Sequence, residues 1–224
     1  MGKKICIFAC GGHGTRMGSE IPKQFLRIGD KTVLQLSMER IVEADSDIRL
    51  ITVLPREYIP WWNDECNARK SDVPHLIVEG GITRFHSVRN ALQKVDDDSI
   101  VAVHDGVRPL VSAELVRTLF SLAGTFPAVV PVIPVTDTIH VLDSEMAEIE
   151  GARADRSVLF GAQTPQVFRS DILKAAYRQP YDTAFTDDAS IVRSCGVKVK
   201  YVPGEKYNVK ITTPEDLLFV RALL

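Results

Sequence analysis

The chain has no C-x-x-C pair. Its four cysteines, Cys6, Cys10, Cys66 and Cys195, are widely spaced, which excludes the common zinc and dithiol motifs and fits reduced thiols. Cys10 stands among glycines, but no His and Asn/Asp pattern makes it a nucleophile, so it reads as a small loop-filling residue. Basic runs interleaved with aromatics are also missing. A formal net charge of −2 leaves no electrostatic footprint for nucleic acid. No apolar stretch approaches the roughly 20 residues of a membrane span, and the first apolar run is too short for a signal-peptide core. A cytoplasmic protein with no membrane partner is expected. No repeat, low-complexity tract or linker divides the 224 residues, so residues 1–224 are expected to form a single α/β domain. There is no G-x-x-x-x-G-K-[ST], which removes a P-loop NTPase. Gly12, Gly14 and Gly18 are spaced one residue too long for the dinucleotide fingerprint, and the second strand ends Val53-Leu54-Pro55-Arg56 without a ribose-binding acid.

What is present is concentrated near the start. The apolar run Ile5-Cys6-Ile7-Phe8-Ala9 reads as a buried strand, and Cys10-Gly11-Gly12-His13-Gly14-Thr15-Arg16-Met17-Gly18 follows it, closed by Pro22-Lys23-Gln24-Phe25. Four glycines in nine residues suit a backbone that bends sharply and brings its N–H groups close to a ligand. Arg16 and Lys23 add two cations beside those donors. Backbone N–H groups with converging cations are what a polyphosphate requires.

The rest alternates. Strands are expected over 48–54, 75–79, 99–105, 128–132 and 197–202, with helices over 33–42, 57–70, 84–95, 170–177 and 187–195. Ser112 caps a helix opening with Glu114, and Thr213 caps a terminal helix with Pro214 at its first position. This order predicts a Rossmann-like, mostly parallel sheet flanked by helices. Residues 134–163 break the pattern. Residues 136–142 alternate like a strand, Asp143-Ser144 could turn, and 148–155 are polar. The segment reads as a protruding β-arm with little core of its own, whose natural place is on a second copy, so a homodimer is expected.

In an open α/β sheet ligands sit outside the carboxyl ends of the strands. Those ends supply the glycine loop with Arg16 and Lys23, then Gly80-Gly81 with Thr83, Arg84 and Ser87. They also supply Asp105-Gly106-Val107-Arg108-Pro109, and near the C-terminus Lys210. A polyphosphate loop, several cations and one carboxylate able to hold Mg²⁺, Asp105, therefore meet on one edge. Asp187 and Asp188 read as capping or solvated residues.

These residues carry a resemblance. Gly11 to Gly18 with Pro22-Lys23-Gln24-Phe25, followed in order by Gly80-Gly81-x-x-Arg84-x-x-Ser87, His104-Asp105-x-x-Arg108-Pro109, Asp137-Thr138, Gln163-Thr164-Pro165-Gln166 and Lys210-Ile211-Thr212-x-Pro214-Glu215-Asp216, is similar to the cytidylyltransferases acting on polyol phosphates. The chain resembles most the 2-C-methyl-D-erythritol 4-phosphate cytidylyltransferase family, with the ribitol-5-phosphate enzymes as close relatives. The resemblance implies CMP transfer from CTP, as co-substrate, with Mg²⁺. Gly11, Gly12 and Gly14 would wrap the CTP phosphates, while Gly81, Ser87, Asp105 and Gly106 would hold the nucleotide. Arg16, Lys23 and Lys210 would be catalytic. Asp105, Arg108, Thr138, Arg156 and Thr164 would bind the acceptor, Thr138 and Arg156 from the partner's arm. A ribitol phosphate acceptor, or a nucleotide-binding module without turnover, stays open at this point.

Overall fold

In a computed structural model of the chain, residues 2–11, 21–68, 73–151 and 154–224 are described. The hydrophobic runs become a central sheet. Its strands are β1 (Lys4–Ala9), β4 (Arg49–Leu54), β5 (His75–Glu79), β6 (Ile100–Asp105), β7 (Ala128–Pro134), β8 (Phe160–Ala162), β9 (Gln166–Arg169) and β10 (Lys200–Pro203). The hairpin β2 (Arg27–Ile28) and β3 (Lys31–Thr32) stands apart, turning at Gly29 with φ +63°. The sheet order is β10-β7-β9-β6-β1-β4-β5, with β8 paired to β7. Strands β5, β4, β1 and β6 run parallel, as do β7 and β10.

Two strands depart from the parallel expectation. β9 is antiparallel to both β6 and β7, and β8 is antiparallel to β7. β9 is only four residues long and opens on a buried glutamine, Gln166. It has neither the length nor the polarity signal of a strand, and only its two neighbours make it one.

The helices are α1 (Val33–Ala44), α2 (Ile59–Ala68), α3 (Arg84–Leu92), α4 (Ala113–Ala123), α5 (Ser170–Ala176), α6 (Asp188–Ser194) and α7 (Pro214–Leu223). Most of their starts follow from side-chain oxygens that satisfy otherwise unpaired N–H groups. Ser112 accepts from Leu115 N, and Thr32, Asp187 and Thr213 each form a capping box. One core cluster packs Phe8, Leu34, Met38, Trp62, Leu119 and Phe120 on one side of the sheet. The other packs Ile7, Ile51, Phe85, Val88, Phe168 and Tyr177. Trp62 is fully buried, whereas its neighbour Trp61 is 39% exposed.

The excursion is present but is not a β-ribbon. Among the described residues, 136–142 form no strand, and only an isolated bridge joins Leu142 to Glu148. Alternation cannot make a strand without a partner edge. The turn at Asp143 does form, its Oδ1 accepting from Glu145 N and Ala147 N. At the base, Val135 N donates to Leu159 O before β8 rejoins the sheet.

Candidate active site

The sheet order decides where a ligand can sit. From β1 the chain moves to β4 and β5 on one side, then to β6 on the other. The crevice between the carboxyl ends of β1 and β6 is therefore a topological switch point. Ala9 at the end of β1 is in register with Asp105 at the end of β6. The loops that follow pack against each other. A side chain on Gly106 would occupy the place of the Cys10 sulfur. Burial, helped by nearby Asp105, raises the Cys10 thiol far above its ordinary range. Cys10 is thus an inert filler.

Beside this contact lies a second one, built from Gly11, Gly80, Gly81 and Ser87. A Cβ on Gly11 would stand 2.6 Å from Ser87 Oγ, and Gly81 N donates to that oxygen at 3.0 Å. Gly80 N is tied to Leu54 O at the end of β4. Thr83 starts α3 by accepting from His86 N, so Ser87 enters the cluster from the first turns of that helix. Glycine is required at Gly11 and Gly81 because the start of α3 comes too close for a Cβ, with Ser87 Oγ 2.6 Å from one at Gly11 and His86 Cβ closer still to one at Gly81.

Across the crevice Asp105 collects cations. Arg108 Nε lies 3.1 Å and Lys210 Nζ 3.2 Å from its Oδ2. Burial alone would push the Asp105 carboxyl up, but Lys210, Arg84 and Arg108 together hold it well below the usual carboxylate range. Arg108 is itself buried and places Nη1 2.6 Å from Asn208 O. Lys23 belongs to a 3₁₀ turn, Lys23–Phe25, and its Nζ donates to Ile211 O at 2.9 Å, next to Lys210. Gln24 Nε2 reaches back to Cys10 O at 3.0 Å. Phe25 anchors the turn among Tyr58, Trp61 and Trp62.

Thr164 joins the same cluster. Its Oγ1 accepts from Asp105 N at 3.0 Å and lies 2.9 Å from His104 Nδ1. Burial pulls the His104 imidazole down to about 3, so it is neutral at physiological pH.

Of the residues expected from sequence, Gly11, Lys23, Gly81, Ser87, Asp105, Gly106, Arg108, Thr164 and Lys210 thus come together at the switch point. Gly12, Gly14 and Arg16 lie outside the described residues. Thr138 and Arg156 are exposed on the excursion, where Arg156 Nη1 donates to Thr136 O at 3.0 Å. No hydrogen bond among the described residues joins either to Asp105, Arg108 or Lys210. Asp188 corrects its expectation. Asp187 is the helix cap, but Asp188 is wholly buried and takes both Nη atoms of Arg84. Sequence reading also passed over Asn208 and the side-chain role of Gln163. Their one signal was proximity to Lys210 and Thr164 in the matched blocks.

The same residues fall within a known family. The family described as 2-C-methyl-D-erythritol 4-phosphate cytidylyltransferase (IspD) matches residues 4–224. The chain is similar to the enzyme of that name from Bacteroides fragilis, at 46% identity over 99% of both chains. It is 43% identical to that of Porphyromonas gingivalis, over 99% of this chain and 98% of the other. Among solved structures, the 2-C-methyl-D-erythritol 4-phosphate cytidylyltransferase of Thermus thermophilus superposes with a TM-score of 0.79 at 31% identity, covering 100% of this chain and 98% of that one. The 4-diphosphocytidyl-2C-methyl-D-erythritol synthase of Anaerococcus prevotii gives a TM-score of 0.81 at 28% identity, covering 100% and 99%.

Proposed function

The chain belongs to the 2-C-methyl-D-erythritol 4-phosphate cytidylyltransferase family, and from that premise we propose how its residues divide the reaction. The reaction transfers CMP from CTP to 2-C-methyl-D-erythritol 4-phosphate, giving 4-diphosphocytidyl-2-C-methyl-D-erythritol and pyrophosphate, in isoprenoid synthesis. The observation that carries the division is the cation cluster on Asp105, facing the Gly11–Ser87–Gly81 contact across the switch point.

Gly11, Gly81 and Ser87 border the nucleotide, and the triphosphate is assigned to Gly12, Gly14 and Arg16. The acceptor's phosphate oxygen attacks the α-phosphorus, and the bond from that phosphorus to the bridging oxygen of the β-phosphate breaks. A phosphate monoester has a second pKa near 6 and is mostly dianionic at pH 7, so no general base is needed. The barrier is charge: a dianion must meet a triphosphate. Lys23 and Arg16 meet the charge developing on the α-phosphate and the leaving pyrophosphate. Arg108 and Lys210, now held on Asp105, draw in the acceptor phosphate, with Thr164 beside them.

Among the described residues no cluster of three or more His, Cys, Asp or Glu gathers. That suits Mg²⁺, which keeps several waters and takes one or two carboxylates alongside substrate phosphates. Asp105 would hold it together with triphosphate oxygens, and the ion supplies charge neutralisation.

The excursion is assigned to a second copy. It exposes Val158 (70%), Phe160 (55%) and Met146 (77%). Leu159 and Phe160 line a groove of about 850 Å³ shared with Ile133 and Tyr201. Thr138 and Arg156 would then serve the neighbouring copy's acceptor site. No helix among the described residues is long and apolar enough to cross a membrane, and we place the reaction in the cytoplasm.

The deciding experiment incubates purified protein with CTP, Mg²⁺ and one acceptor at a time. Pyrophosphate release with methylerythritol phosphate supports the assignment. Release with ribitol 5-phosphate alone, or CTP binding without release on any acceptor, overturns it.

A further inference from the structure

Lys210 lies in a stretch with no regular secondary structure. Between β10 and α7, residues 204–213 belong to no strand or helix. A lysine on irregular backbone points where other groups hold it, because no ladder fixes its peptide. Two of the ties that hold this stretch flank its middle. Gln163 exchanges hydrogen bonds with the Glu205 backbone, donating to its oxygen at 2.8 Å and accepting from its nitrogen at 3.0 Å. Ile211 N donates to Val107 O at 2.9 Å. Between these two ties stands Asn208.

Asn208 is completely buried. Its Nδ2 donates to Thr164 O at 2.9 Å, and its own carbonyl accepts from Arg108 Nη1 at 2.6 Å. These bonds close a ring. Asp105 N donates to Thr164 Oγ1, Asn208 holds the Thr164 carbonyl, Arg108 holds the Asn208 carbonyl, and Arg108 Nε returns to Asp105 Oδ2. Lys210, two residues beyond Asn208, sits on the same Oδ2. The ring joins three stretches of chain that are far apart in sequence.

One detail separates this asparagine from a simple packing residue. Its Oδ1 is buried with no hydrogen-bond partner among the described residues. Turning the amide over would set Oδ1 against the Thr164 carbonyl oxygen, so the partners fix the orientation and the unpaired acceptor is its consequence. An unpaired buried acceptor costs stability. A residue serving packing alone would not incur it.

We propose that Asn208 is a positioning residue for the acceptor phosphate: by tying the Lys210 segment to Thr164 and its carbonyl to Arg108, it aims both cations at one point. The inference rests on the acceptor-binding role given above to Arg108 and Lys210.

The test is a double-mutant cycle on the full-length enzyme with CTP, Mg²⁺ and methylerythritol phosphate. Asn208→Ala is expected to lower kcat/KM for the acceptor about tenfold or more, with KM for CTP changed less than about twofold. In a Lys210→Ala background the same substitution should cost less than about threefold, since one of the two aimed cations is already gone and Arg108 is held by the main-chain carbonyl of residue 208, which the substitution keeps. Equal costs in both backgrounds, or equal losses toward both substrates, would overturn the positioning role and leave a structural one. If Asn208→Ala does not fold, Asn208→Ser enters the same cycle and is read by the same criteria. Failure of the underlying reading is distinct: Lys210→Ala would then leave acceptor kinetics unchanged, whatever residue stands at 208.

Discussion

Arg84 and Asp188, 104 positions apart in the chain, meet as a two-pronged ion pair, with Nη1 3.0 Å from Oδ1 and Nη2 2.6 Å from Oδ2. Tyr177 donates its hydroxyl to the same Oδ1. Burial works against the guanidinium's charge, and Asp188 more than restores it. The pair fastens the start of α3, which carries Ser87, to α6. Asp188→Ala leaves the guanidinium without its partner. The expected loss is about 2–3 kcal/mol, under the range for fully buried pairs because the Arg84 side chain is 34% exposed. Urea unfolding measures it, and a loss below about 0.5 kcal/mol, the scale of exposed pairs, would show that the two are not coupled.

Lys23→Ala should lower kcat by about 10²–10³-fold, the scale for removing one group that meets transition-state charge. Its Nζ also holds Ile211 O, so some stability is lost as well. Thermal unfolding run alongside the kinetics separates the two effects. Full turnover in this variant would refute the catalytic assignment.

His104 gives the fold a pH dependence whose sign is fixed. Its folded value, about 3, lies below the ordinary 6.5. The unfolded chain therefore takes up the proton first as pH falls. The stabilisation is complete above 6.5 and is lost progressively toward 3, amounting to about 2 kcal/mol between pH 7.5 and 5. His75, also depressed by burial, works in the same direction. Urea midpoints at the two pH values should converge more for His104→Gln than for wild type. Parallel behaviour of the two proteins would contradict the assignment.

Mixing variants tests whether two copies share a site. Arg156→Ala and Lys23→Ala subunits, each impaired alone, should regain activity on mixing, because one site in a mixed dimer then holds both Lys23 and Arg156. Simple statistics limit the recovery to about a quarter of wild-type activity for freely exchanging dimers. No recovery, with exchange verified by differently tagged subunits, would place Arg156 outside the neighbouring site.

The strands that frame the crevice were legible because their residues repeat one message. Ile5 to Phe8 and Val101 to Val103 are apolar on both faces, as a central parallel strand demands. Ser112 and Thr213 announced their helices through capping chemistry that acts within four residues. What escaped was set by distant partners. Gln166 to Arg169 carry little strand character and are recruited between β6 and β7. Residues 136–142 carry that character and find no edge to join. Asp188 looked like a capping or solvated acid because Arg84 is far away in sequence. The site divides in the same way. Asp105 and Arg108 could be read from the end of β6; Lys210, expected at a strand end, lies instead on irregular backbone, and Asn208 acquires its meaning only once Thr164 and Arg108 are brought beside it.

The contact between Cys10 and Gly106 makes two distant positions share a single allotment of space. A methyl group at 106 must displace the sulfur at 10, and Leu34 Cδ1, 2.9 Å from where that methyl would sit, blocks retreat on the other side. The two sites are therefore not free to change one at a time: Gly106→Ala alone overpacks the crevice floor, whereas together with Cys10→Ala it exchanges one small group for another. Swapping glycine-loop sequences between related enzymes will succeed or fail on whether both halves of this pair travel together.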